Sequence, residues 1–143
     1  ILVCMTKQVT SIEQSKRLLE LGVPDNKACM VWVPNWTFNE RSRQFEPTGD
    51  YNVCFRYVAY KVMEEELIPA FTVEDLLCVL PKILYDNRGN ALHINVTTST
   101  GCNWCLFYGN HHAHAWFKDS DSLVDLLIEA IEWVISKGYK LNV

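Results

Sequence analysis

A chain of 143 residues with 49% hydrophobic side chains is sized for one domain with its own core, here residues 5–143. Its formal net charge is −4, with no run of lysines and arginines, which argues against a nucleic-acid partner held by phosphate contacts. No stretch reaches the ~18 apolar residues of a helical membrane span, so no membrane partner is expected.

The six cysteines, Cys4, Cys29, Cys54, Cys78, Cys102 and Cys105, lie scattered among apolar neighbours without a disulfide spacing. They read as thiols in a reducing, cytoplasmic compartment. Residues 1–4 read as an extension before a native start at Met5, with a lipoprotein tail ending at Cys4 as the competing reading.

Thr10 and Glu13 fit a capping box, in which hydroxyl and carboxylate satisfy opposite backbone donors at a helix start. The helix is expected to run to about Leu21 with Ile12, Leu18 and Leu19 inward. Gly22, Val23 and Pro24 then stop it: glycine takes the left-handed position, the hydrophobe folds back, and proline prevents continuation.

Residues 28–33 are rich in β-branched and aromatic side chains and predict a strand. Residues 34–50 turn polar apart from Trp36, Phe38 and Phe45, which predicts an exposed excursion with a few anchoring aromatics. Residues 51–63 regain strand character and are expected to pair with the first strand, and Glu64-Glu-Glu66 reads as a solvated turn or edge. At Pro69-Ala-Phe-Thr72 a second helix is signalled, with Thr72 as cap, Asp75 at the third position and Phe71 clasping Leu76. It is expected to end near Pro81 after burying Leu77, Leu80 and Cys78.

Residues 91–117 hold three period-two runs, at 91–98, 102–107 and 112–117. A three-residue loop at 99–101 would set Thr98 opposite Cys102, and a two-residue loop at Gly109 and Asn110 would set Phe107 opposite His112. On those registers Leu92, Ile94, Val96, Trp104, Leu106, Ala113, Ala115 and Phe117 form a core face. The opposite face then carries His93, Asn95, Thr97, Asn103, Cys105, Phe107, His112, His114 and Trp116. The last helix follows the caps at 119–122, with Leu123, Leu126, Leu127, Ala130, Ile131, Val134 and Ile135 at helical period, and ends at Gly138 and Tyr139. The expected architecture is a single α+β domain in the order α-β-β-α-β-β-β-α, with an antiparallel sheet of about five strands and three helices.

Three segments carry a resemblance: Met5-Thr-Lys-Gln-Val-Thr-Ser-Ile-Glu-Gln-Ser-Lys-Arg-Leu-Leu-Glu-Leu-Gly-Val-Pro24, Pro69-Ala-Phe-Thr-Val-x-Asp-Leu-Leu77 and Gly138-Tyr-Lys-Leu-Asn-Val143. They resemble a group of small uncharacterised proteins from gut anaerobes, often carried on phage-like or conjugative elements. The resemblance implies a bacterial cytoplasmic setting and supplies no activity, cofactor or catalytic residue. Residues 34–50 and the histidine block lie outside it.

Cys102, Cys105, His111, His112 and His114 are all metal-ligand types, but Cys102 and Cys105, three apart on a strand, face opposite sides and cannot form a zinc knuckle. Cys105, His112 and His114 would share a face and define the alternative reading, a metal- or thiol-dependent site. A redox motif would need its thiol at a helix N-terminus, which residues 106–109 do not supply. Histidines mixed with Phe107 and Trp116 suit a binding surface better than an idle one. The expected function is therefore a non-enzymatic interaction module without a cofactor. It would bind a host protein or itself, as a homo-oligomer, through Phe107, His112, His114, Trp116, His93 and Asn103.

Overall fold

The structure, a computed structural model, describes residues 8–61, 67–99, 101, 103–110 and 112–143. The expected extension at residues 1–4, the acidic run at 64–66, Cys102 and His111 lie outside the described residues. The chain is α+β and divides into two units, Ile1–Thr72 and Val73–Val143.

In the first unit, α1 (Ile12–Glu20) begins one residue later than the expected cap. Ser11 is the N-cap and Gln14 completes the capping box, because the Thr10 hydroxyl is buried and bonded elsewhere. The helix stops as its sequence dictates. Gly22 takes φ +91°, its N–H donates to the Leu19 carbonyl, and the Val23 N–H donates to the Leu18 carbonyl. That is a Schellman motif, with Val23 and Leu18 both buried. Leu18 and Ser15 face inward, whereas Leu19 is exposed, since it lies about 100° round the helix from Leu18.

Strands β1 (Met30–Asn39), β2 (Gln44–Phe55) and β3 (Ile68–Ala70) form an antiparallel sheet in the order β2-β1-β3. The polar stretch at 34–50 is thus not irregular: it is the outer half of a β-hairpin. Asn39 builds the turn by accepting the N–H groups of Arg41 and Ser42 at its Oδ1, and its carbonyl accepts from Arg43, which sits at φ +56°. After Phe55 the chain enters a 3-10 turn (Arg56–Lys61) rather than continuing as strand, and the last two residues of the expected strand, 62 and 63, lie outside the described residues. Val9, Met30, Val53 and Ala70 make a small core, with Trp32 packed against it.

The second unit holds α2 (Val73–Val79), β4 (Ile83–Tyr85), β5 (Ala91–Thr98), β6 (Trp104–Gly109), β7 (His114–Ser120) and α3 (Leu123–Ser136). Its strands form a second antiparallel sheet in the order β4-β5-β6-β7. The expected three helices are there among the described residues. The strands fall into two sheets, and β3 and β4 are absent from the expected order because, at three residues each, they are too short to leave a period-two signal. In α2, Leu76 and Val79 are buried, Leu77 is half-buried and Cys78 is exposed, a correction to the expected burial of Cys78. Asn142 satisfies the end of α2, donating from its backbone N–H to the Val79 carbonyl and from Nδ2 to the Cys78 carbonyl.

Helix α3 is capped by Ser122 and buries Val124, Leu126, Leu127, Ile128, Ala130, Ile131 and Val134. It ends in a second Schellman motif, with Gly138 at φ +79° and the Tyr139 N–H donating to the Val134 carbonyl. The helix packs on β6 and β7, where Trp133 stacks on Tyr108 at 5.6 Å and meets Trp116 at 6.0 Å. Fully buried Leu106 and Tyr108 complete this layer, and a buried apolar side chain of that size contributes about 1.5–3 kcal/mol.

Candidate interaction surface

The two registers of the second sheet decide which side chains share its open face. Between β5 and β6, Thr98 lies opposite Trp104 and the Ser99 N–H donates to the Asn103 carbonyl at 2.8 Å. The reversal therefore closes one residue later on each strand than expected. A shift of two preserves side-chain parity, so Leu92 and Leu106 stay on the helix side, and His93, Asn95, Cys105 and Phe107 on the other.

Between β6 and β7 the outcome differs. Asn110 takes the turn with its side chain, Oδ1 accepting the N–H groups of His112 and Ala113, and its own N–H donates to the Ala113 carbonyl. Gly109 lies opposite His114 but Tyr108 lies opposite Trp116, so Ala115 is an extra residue in a β-bulge. That single residue inverts the parity of the rest of β7. Trp116 turns to the helix side, against Trp133, and Phe117 turns to the open side, opposite Phe107. The expected assignments of Trp116 to the binding face and of Phe117 to the core are both reversed.

Phe107, His114 and Phe117 consequently meet on the open face. The His114 ring lies 4.3 Å from Phe107 and 5.8 Å from Phe117, stacked on the latter at 10°. Gly109 makes this possible: a Cβ there would sit 2.9 Å from the His114 ring and 2.7 Å from the Ala113 carbonyl oxygen. Phe117 is 49% exposed and Phe107 is half-buried. Along the same face, His93, Asn95, Thr97 and Asp119 are exposed, and Ile83 and Tyr85 on β4 add apolar area at the far edge.

The other expected members do not join this group. His112 is exposed in the turn, and Asn103 precedes β6, with its carbonyl engaged by Ser99. Cys105, His112 and His114 are not brought together either. Cys105 is buried opposite Asp119 and Thr97, four positions along β6 from Gly109 and His114, roughly 13 Å at strand rise. Among the described residues, no group of three or more His, Cys, Asp or Glu side chains is placed to hold a metal ion. Burial pushes the Cys54 thiol above its usual pKa, which disfavours the thiolate a nucleophile needs.

A second aromatic surface lies on the hairpin of the first unit. The rows Trp32 with Val53, Pro34 with Tyr51, Trp36 with Pro47 and Phe38 with Phe45 follow one face from base to tip. The bulge between Pro34 and Trp36 is taken up by residues 48–50 of β2, so the alternation along β1 is unbroken. Phe38 and Phe45 meet edge to face at 5.3 Å and are exposed, not anchored as expected. The signal was present in the alternation of Pro34, Trp36 and Phe38 with Asn35, Thr37 and Asn39. It was masked by the polar residues around it. On the opposite side of the ribbon, Glu46 accepts from Asn39 and Ser42, which hold its carboxyl below the usual glutamate range.

No helix among the described residues is long and apolar enough to cross a membrane. The chain matches no protein-family model, no curated protein and no solved structure.

Proposed function

We propose that this protein is a non-enzymatic accessory module that docks a different protein through the open face of its four-stranded sheet. Phe107, His114 and Phe117 form the centre, and His93, Asn95 and Asp119 the polar border. The observation that carries this reading is the triangle of rings in which His114 lies 4.3 Å from Phe107 and 5.8 Å from Phe117, with the two phenyl rings 6.4 Å apart and Phe117 49% exposed. A small aromatic centre surrounded by polar side chains has the composition of a non-obligate protein interface. The bacterial cytoplasmic setting implied by the resemblance belongs to the same reading.

The test is cross-linking and affinity capture from bacterial cytoplasm with wild-type protein and with a Phe117→Ser, His114→Ala double variant that retains the wild-type melting temperature. A partner that binds wild type saturably and is lost with the double variant is the expected result. Identical capture by both proteins would end this reading.

A further inference from the structure

The hairpin of β1 and β2 carries a second and separate proposal. At its base the apolar face is core: Met30 and Val53 are buried, and Trp32 packs against them. The same face runs on without a change of parity through Tyr51, Trp36, Phe38 and Phe45, which are 38%, 45%, 50% and 70% exposed. Beyond Trp32, β3 no longer pairs with β1, and β2 is an edge strand, so among the described residues the outer hairpin is a two-stranded ribbon. A two-stranded ribbon alone is at best marginally stable in water. This one also presents a row of rings to solvent, while its other face holds Thr37, Asn39, Gln44 and Glu46.

The geometry points to a second copy of this chain as the occupant, the two ribbons packing aromatic face to aromatic face about a two-fold axis. Area sets what such a contact must cover. At about 200 Å² per aromatic side chain, the exposed fractions of the four rings leave on the order of 400 Å² to cover. That is roughly half of the ~800 Å² per partner in a standard interface, with Pro34, Pro47 and the ribbon backbone on the same face to extend it. Composition supports that choice. Homodimer interfaces are more apolar than transient ones, and this strip carries no charged side chain from Trp32 to Phe38 on β1, whereas the sheet face of the second unit is bordered by polar groups. Packing like rows on like rows satisfies a two-fold operator, which a strip of Trp, Pro, Phe and Tyr can meet without pairing charges.

Sedimentation or light scattering of the full chain tests this, with Phe38→Ser and Phe45→Ser as single and double variants. Both positions are exposed, so the variants keep the wild-type fold, which circular dichroism checks. A wild-type dimer whose dissociation constant rises at least ten-fold in each single variant is the expected result. A monomer at about 1 mM, the weak end of specific association, overturns the proposal. So does a dimer unchanged in the double variant, or one dissociated by Phe117→Ser instead, which would move self-contact to the sheet face. A monomer that cosediments with phosphatidylcholine and phosphatidylglycerol vesicles in a Phe38-dependent way would reassign the ribbon to a membrane surface and equally overturn it.

Discussion

The hydroxyl of Thr10 accepts the backbone N–H of Phe71 at 2.9 Å, and the N–H of Thr10 donates to the Phe71 carbonyl at 2.9 Å. The Thr10 carbonyl accepts from Trp32 Nε1 at 3.0 Å, and its hydroxyl lies 2.7 Å from that of Ser15. One fully buried threonine thereby ties together the start of α1, strand β1 and the end of β3.

Replacing Thr10 by valine keeps the shape and removes the oxygen, leaving the Phe71 N–H and the Ser15 hydroxyl without this partner in a buried site. The expected cost is about 2–3 kcal/mol in urea or thermal unfolding. Thr10→Ser, which keeps the hydroxyl, is expected to lose only about 1 kcal/mol. A Thr10→Val protein as stable as wild type, with Thr10→Ser the less stable of the two, would mean that the methyl group, not the hydrogen bonds, is what matters at this position.

Gly109→Ala places a Cβ against the Ala113 carbonyl, a backbone atom that cannot move aside as a flexible side chain would. A loss of about 1–3 kcal/mol is expected. Proton NMR should also show the His114 ring resonances losing the ring-current shift from Phe107 as the imidazole is displaced. Unchanged His114 shifts in a folded Gly109→Ala protein would contradict the bulge geometry.

Adjacent residues on β7 are expected to behave oppositely. Trp116→Ser removes a half-buried ring from Trp133 and should destabilise by roughly 2–3 kcal/mol. Phe117→Ser, on the open face, should change stability by no more than about 1 kcal/mol. Denaturant midpoints for the pair decide the register: the reverse ranking would place Phe117, not Trp116, under the helix.

Tyr108 supplies a pH dependence. Its hydroxyl donates to the Pro81 carbonyl at 2.6 Å, and burial holds its phenol well above the usual tyrosine value of 10. The folded state keeps this proton where the unfolded chain releases it, so the contribution is whole below pH 10 and declines as pH rises above it. At neutral pH, Tyr108→Phe should cost about 1 kcal/mol through the lost hydrogen bond. Unfolding measured from pH 8 to about 11 should show wild type losing stability faster than the variant in the upper part of that range. Parallel curves would show that Tyr108 is not the group responsible.

Local rules were enough to place the helices. Both Schellman endings follow from a glycine and a hydrophobe at set positions, and the inward stripe of α3 follows from its period, because these signals act within one or two turns of chain. The α+β class and the parity of β5 against β6 were legible for a similar reason: alternation survives a register shift of two. Three things were settled only in the folded molecule. Thr10 left the cap to Ser11 because Phe71, distant in sequence, claims its hydroxyl. The polar stretch at 34–50 became paired strand because each half supplies the other's backbone hydrogen bonds, which composition does not report. And one extra residue, Ala115, exchanged Trp116 with Phe117 between core and solvent, since a bulge depends on how Asn110 closes the turn and on the space that Gly109 leaves for His114.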